Sequence, residues 1–430
     1  MMFKSLKSLY EKEYFDFSIG YVDPFKFHKS CYLFLKAFRV WDGAIPKWTC
    51  FWITLIIFCA LSALVILTLG VYHGITSKDL AYMTEAGTYE LIMLYKLLIL
   101  SCTKLNVSDY YHLLKILRED FQYVCDKGNI YRERFFQNQL KIWKVCILSI
   151  IFMGSIGLVM MIFSITSLLW FVRSHDSETN ENRPLPFPFW AFNLDFGKTP
   201  LYEFLIIITN LWYFLCLSLY IFNSLTVMMQ IQILWIGEIA TKADLVIWNI
   251  EDLMNGIRPA HNEQEKIYFS NLLKQRMQEI VKIHHSMIEL TANYVRVYTK
   301  LLMFEQKVCA PVVCLSAYGT TEILEKTGEI NGILILICIT TIISVFIPSF
   351  LCNFLSIKVS SICYACWNIP FWNATPVIRP YLVLIMQRSL RPLPIKAPGF
   401  EEVSIETFSS KMASAYSFYN MLRQANTKYI

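Results

Sequence analysis

The chain has 430 residues, 55% of them hydrophobic and only 17% charged, with a formal net charge of +6 and a mean hydropathy of +0.43. That balance excludes a soluble globular domain and places the chain in a lipid bilayer.

No signal peptide opens it, because MMFKSLKSLYEKEYFDF carries charges where an apolar core should stand. Residues 1–48 are therefore expected to form a cytosolic N-terminal segment. The first crossing, Thr49 to Tyr72, has no Asp, Glu, Lys or Arg over more than the roughly 20 residues that span a hydrocarbon core. Val145 to Val172, Phe204 to Gly237 and Ile330 to Ile357 are charge-free over comparable lengths. Three further crossings are interrupted: Tyr89 to Thr103 by Glu90 and Lys96, Leu301 to Thr321 by Glu305, Lys307 and Pro311, and Ser404 to Gln424 by Lys411. Ionisable groups at membrane depth are costly, so these three helices are expected to turn them toward protein or water. Snorkelling of Lys96 or Lys307 to an interface serves equally for either taken singly. The expected fold is all-α: one membrane domain over residues 1–430, with helices one to six and their cytosolic extensions within residues 49–357.

The loop after the third crossing divides in two. Ser174 to Asn182 is polar, whereas Pro184 to Phe196 is aromatic and proline-stiffened, suited to a lid over the bundle or equally to an anchor at the lipid interface. As a helix, Phe204 to Gly237 would reach roughly 50 Å against a hydrocarbon core near 30 Å. It is expected to project into the cytosol and pack with the stretch around Trp367, Phe371 and Trp372. His284 and His285 are adjacent, point to different faces of one helix, and read as structural. Cys363 and Cys366 form a single C-x-x-C, too little for a tetrahedral zinc site, and the segments placed outside carry no cysteine. Neither a metal, nor a cofactor, nor structural disulfides are expected.

Orientation follows the positive charge near helix ends. With the N-terminus inside, 28 of the 39 Lys and Arg fall in inner segments and 7 in outer ones, so the C-terminus is expected outside after seven crossings. This is the reverse of a G-protein-coupled receptor. LLWFVRSH, ending the third crossing, lacks an acidic-Arg-aromatic triplet, and no Asn-Pro-x-x-Tyr follows. The sequons at Asn106 and Asn373 lie in inner segments and are expected to stay unglycosylated. In VIRPYLVLIMQRSL the uncharged core, Pro380 to Gln387, is too short to cross. Residues 358–403 are accordingly read as a cytosolic layer and residues 404–425 as the last crossing.

Four stretches carry a family likeness: RPLPFPFWAFNLDFGKTPLYEF from Arg183, IHHSMIELTANYVRVYTKLLMFEQ from Ile283, SSICYACWNIPFW from Ser360, and RPYLVLIMQRSLRPLPIKAPGFEEVSIETFSSKMASAYSFYNML from Arg379. In order and spacing they resemble insect odorant receptors. The resemblance implies a ligand-gated, poorly selective cation channel in the plasma membrane of a sensory neuron, built as a tetramer around one pore. It implies that the last helix lines the pore and that helices two, three, four and six surround a small volatile ligand in their outer half. Inner segments of helices four to seven would join subunits. The family's shared co-receptor has a long insertion between the fourth and fifth crossings; Gly237 to Thr299 has none, so the chain is expected to be an odorant-tuned subunit partnered by that co-receptor. Neither a G protein nor a nucleic acid is an expected partner. Gustatory receptors share the architecture and stand as the alternative, with a metabotropic seven-helix receptor behind them. A transporter or membrane enzyme is disfavoured by the absence of inverted repeats and of an intramembrane His, Cys or carboxylate cluster.

On a helix, Ser410, Ser414, Ser417, Met421 and Gln424 share one face, while Phe408, Met412, Ala415, Tyr419 and Leu422 share another. A pore-lining helix needs that division, because hydroxyls and amides partly replace ion hydration. The same serines would serve an ordinary bundle helix by bonding back to the preceding turn. The resemblance puts the family's gate at Met421 and its pore glutamine at Gln424. Pro398 and Gly399 break the chain before this helix, with Ser404 as N-cap and Glu406 in the first turn. For the ligand, depth counted from the outer ends selects Tyr89 and Met93, then Met161, Ser164 and Leu168, then Thr209, Trp212 and Tyr213, then Leu336 and Thr340. Ordinary packing accounts equally for any one of them.

Overall fold

Inside a bilayer the helix satisfies every backbone N–H and C=O within one segment, and the described residues are helical nearly throughout. The computed structural model describes residues 27–28, 47–174, 190, 201–212, 222–258, 261–328, 330–369, 376–391, 395–396 and 401–427. Helix α1 (Lys47–Ser77) turns into α2 (Leu80–Leu105) through Lys78, left-handed at φ 58°, and Asp79, whose carboxylate accepts the N–H groups of Ala81 and Tyr82. A Cβ on Gly74 would lie 2.8 Å from the Met83 Cα, so glycine is what lets α1 and α2 meet this closely. α3 (Val107–Lys127), α4 (Asn129–Ser174), α5 (Leu201–Trp212) and α6 (Phe222–Glu251) follow. α7 (Glu263–Thr327) runs 65 residues, roughly 100 Å, and stops at Gly328, left-handed at φ 73°. α8 (Gly332–Asn368), α9 (Arg379–Ser389) and α10 (Ile405–Thr427) complete the chain.

The stretches Ile57–Ser77, Asn129–Phe163, Glu263–Lys326 and Gly332–Asn368 are each long and apolar enough to cross a membrane, and Tyr202–Leu211 is a shorter apolar helix. Phe58, Val65, Leu158, Ile165, Ile339 and Phe350 are exposed on α1, α4 and α8, as lipid-facing residues would be. α2 packs along both α1 and α7, with Lys96 and Glu305 buried, whereas Lys307 is exposed. The fifth crossing is thus no separate element but the far end of α7. At 11 residues, roughly 16 Å, α9 is too short to cross; it buries Leu382 and Ile385 against α8.

α3, the first half of α7 and the ends of α4, α6 and α8 project beyond the apolar bundle as a second, tightly packed layer. Its centre is Trp235 of α6, fully buried, with Tyr110, Tyr294 and Tyr298 edge-on at 5.9–6.0 Å and its Nε1–H donated to the Leu290 carbonyl at 3.2 Å. The described second part of the Phe204 to Gly237 stretch lies in this layer, packed chiefly on α4, α7 and α8, while residues 213–221 lie outside the described residues. The stretch around Trp367 is met as expected through its buried neighbours Ile362, Ala365 and Cys366, which share one core with Trp235 and Ile239 of α6, while the Trp367 side chain itself is 62% exposed and Phe371 and Trp372 lie outside the described residues. The layer is cross-tied by charge, with Lys242 on Asp120 at 2.7 Å and Lys358 on Asp244 at 2.7 Å. Gln139 donates to Glu238 at 2.9 Å and pairs with His28 at 2.9 Å. Burial, with Asp120 beside it, holds Glu238 well above the usual carboxylate range.

His284 and His285 separate as their spacing predicts, one buried and one exposed. Burial, then the nearby Arg388 and His285, pulls the His284 imidazole down to about 4. Because that is below the ordinary histidine value of about 6.5, its contribution is fully present above that pH and is lost as pH falls toward 4. On acidification through this window the wild-type protein is expected to lose more thermal stability than His284→Gln, read from melting curves in detergent; parallel curves would contradict it.

Candidate ligand cavity and pore helix

Among the described residues, a cavity of about 80 Å³ lies where α2, α4, α7 and α8 meet. Its walls are Leu91 and Ile92 of α2, Met153, Ile156 and Met160 of α4, Val308 and Val312 of α7, and Ile337 and Val345 of α8. Gly157 removes a side chain from the α4 wall. Polar atoms come from Tyr95, Lys96 and Glu305, and from Thr340, Thr341 and Ser344. The Tyr95 hydroxyl donates to the Glu305 carboxylate, and the Tyr95 ring stacks on Phe304 at 5.7 Å with the planes 2° apart. Lys96, 2% exposed, has its Nζ 5.4 Å from the Tyr95 ring centroid and interacts electrostatically with Glu305. Thr340 donates to the Leu336 carbonyl at 2.6 Å and Ser344 to that of Thr341 at 2.9 Å.

Chemically this is an apolar chamber with one polar end. At about 80 Å³ it is smaller than the roughly 150 Å³ that admits benzene, so uptake of a guest requires its walls to move. Met153 and Met160 are suited to that, since an unbranched thioether repacks at little cost.

Of the ten residues selected by depth, Thr340 lines this cavity. Tyr89 and Met93 do not line it but are buried in a cluster that joins Ala60, Ala63 and Leu67 of α1 to the cavity-wall residues Met160, Val312 and Ile337, and Leu336 packs against the same cluster. Met161 is half-buried beside the lining residue Met160, and Leu168 is half-buried farther along α4. Thr209 is buried on α5, its hydroxyl donated to the Leu205 carbonyl at 2.7 Å. The side chains of Ser164 and Trp212 and the whole of Tyr213 lie outside the described residues. The polar end of the cavity was signalled in the sequence by Lys96 and Glu305 themselves, which marked α2 and α7 as inward-facing. In the aromatic loop, Trp190 stacks on His73 of α1 at 4.6 Å with the rings 9° apart; the rest of Pro184 to Phe196 lies outside the described residues.

The last helix starts where its cap predicts, with the Ser404 hydroxyl accepting the Thr407 N–H at 3.2 Å. It packs on α7 and α8 through the stripe of Phe408, Met412, Ala415, Tyr419 and Leu422, with Ala415 fully buried and Phe408 against Phe346 at 5.4 Å. The opposite face looks away from the bundle: Ser410, Ser417, Met421 and Gln424 are exposed and Ser414 is half-buried. Ser414 and Ser417 do donate back to the carbonyls of Ser410 and Ala413, which leaves their oxygens able to accept. Two residues the stripe analysis passed over, Tyr416 and Phe418, are 67% and 51% exposed and stand on opposite flanks of the polar face.

A family model described as the seven-transmembrane odorant receptor matches residues 79–416. The chain belongs to the odorant receptor family. Among curated odorant receptors of Drosophila melanogaster it is similar to odorant receptor 67c, 24% identical over 147 residues, 34% of this chain and 35% of that one. It is also similar to odorant receptor 94a, 20% identical over 162 residues, 37% of this chain and 42% of that one. The matched stretch thus spans between a third and under half of those relatives' length. Among solved structures it is similar to the insect olfactory receptor OR5 from Machilis hrabei. The complex of that receptor with eugenol is 14% identical, with a TM-score of 0.67, over 94% of this chain and 100% of that one. Without the ligand the values are 13% and 0.68, over 93% and 98%. The all-α seven-helix fold of an odorant receptor and a multi-pass membrane location follow.

Proposed function

We propose that this odorant receptor is the ligand-tuned subunit of a non-selective cation channel, assembled with a co-receptor as a tetramer in the plasma membrane and opened by a small volatile organic molecule. The observation that carries this reading is the outward face of α10, where Ser410, Ser417, Met421 and Gln424 are exposed in a single subunit. A membrane helix that turns serines and an amide away from its own bundle needs water or a partner on that side. Tyr416 and Phe418 on its two flanks are the large apolar contacts that neighbouring subunits on either side of a ring would cover. Met421, 57% exposed on the polar face, would supply the dewetting ring at the narrowest point.

The ligand site is the four-helix cavity, which has the small size, apolar walls and few polar groups that a volatile guest requires. Occupation would spread α7 and α8, the two helices on which α10 rests. The excess of Lys and Arg in one set of segments supports a cytosolic N-terminus, residues 358–403 as an inner layer and residues 404–425 as the pore helix. No enzymatic step is assigned to any residue.

Expressed in a voltage-clamped cell, the chain is expected to give volatile-evoked cation current with a co-receptor and none without it, with no dependence on G proteins; equal currents without the partner would contradict the subunit assignment. Cysteines introduced at Ser410 and Ser417 are expected to react with a permeant thiol reagent faster during stimulation, cutting the current. Sites sealed in both states would contradict the pore role of α10.

A further inference from the structure

The polar end of the cavity has a feature that constrains what binds there. Lys96 is 2% exposed and Glu305 6%, so both ionisable groups have left water, and the carboxylate is also held by the Tyr95 hydroxyl. They are one base and one acid, so the pair is electrically balanced whichever of the two holds the proton. A guest with a full charge of its own, an ammonium or a carboxylate, would leave one charge uncompensated in a medium of low dielectric. Thr340 and Ser344 have already given their protons to their own helix and can only accept, so beside the Thr341 hydroxyl the groups placed to meet a guest's polar atom are Lys96 and Glu305.

An ammonium has three donors, and a carboxylate has lone pairs to spare after accepting from Tyr95. A hydroxyl group can bond both at once, its O–H donating to Glu305 while its oxygen accepts from Lys96, and with the proton on Lys96 both bonds are charge-assisted. An ether, ketone or ester can accept from Lys96 but offers Glu305 no donor, and a hydrocarbon offers neither.

Resting on the assignment of this cavity as the ligand site, we propose that it selects neutral hydroxyl compounds, alcohols or phenols, with Lys96 and Glu305 bridged by the ligand hydroxyl and acting as the specificity-determining pair. The walls then take the hydrocarbon portion, and chain length is set by how far Met153 and Met160 give way.

The test measures ligand-induced thermal stabilisation of the purified receptor assembled with its co-receptor, using six-carbon probes on one skeleton: alcohol, methyl ether, ketone, carboxylic acid and amine. The alcohol is expected to bind about tenfold or more tightly than the ether or ketone, the gap expected for one extra hydrogen bond to a charged group. Because removing one partner alone strands a buried charge, the variant is the double Lys96→Met, Glu305→Gln, which stays neutral and keeps the volumes. It is expected to fold and reach the surface, and with binding compared per folded receptor the alcohol's advantage shrinks to about threefold or less. Equal affinity of alcohol and ether in the wild type, no alcohol binding at all, or an advantage intact in the double variant would each overturn the proposal. Filling the cavity with Val308→Phe separates the two layers of the argument: binding that survives the filled cavity overturns the ligand site itself, whereas binding lost there without any hydroxyl preference overturns only the chemistry proposed here.

Discussion

Two opposite charges cannot be left facing hydrocarbon, and the middle of this receptor is organised around that constraint. Lys96 on α2 and Glu305 on α7 interrupt otherwise apolar helices, and each would be costly alone in a bilayer. Turning both inward fixes the rotation of α2 and α7 about their axes and brings them side by side along most of the membrane. Tyr95 joins them by donating to the carboxylate and stacking on Phe304. The same two helices are tied at their far ends by Lys326 on Asp79 at 2.9 Å, and α8 joins through Asn331 on Glu85 at 3.1 Å. α10 then rests on α7 and α8, so the orientation of its exposed face is inherited from the rotation those charges impose.

Polarity therefore decides position at each level. In the membrane layer it sets which face of α2 and α7 is inside. In the projecting layer, where water is available, long helices are joined by ion pairs such as Lys242–Asp120 and by the aromatic cluster on Trp235. At α10 the same logic works in reverse, since serines and an amide directed away from the bundle require something polar beyond the subunit.

Much of this was legible in the sequence because it rests on local signals. Charge-free length marked the apolar crossings, the Ser404 cap marked the start of α10, and 3.6-residue periodicity separated its packing face from its polar one. The short uncharged core of Pro380 to Gln387 kept α9 from being read as a crossing. What was not legible depends on rotation and on partners distant in sequence. Depth from the outer end set the height of Tyr89 and Met93 but not the face they occupy, which lies behind the cavity wall, between α1 and the lining residues Met160, Val312 and Ile337. For α6 the sequence pointed to the end of α8 around Trp367, which it does meet through Ile362, Ala365 and Cys366, but gave no sign of its packing on α4 and α7. Tyr416 and Phe418 were overlooked because a two-stripe pattern has no place for residues on its borders.

If the Lys96–Glu305 pair organises the bundle, the two residues must be energetically coupled. The direct measurement is a double-mutant cycle on thermal stability with Lys96→Met, Glu305→Gln and their combination. Each single change is expected to destabilise by several kcal/mol, as a stranded buried charge does, and the combination by clearly less than their sum. Additive losses, or single variants as stable as the wild type, would mean that the rotation of α2 against α7 is set by something other than this pair.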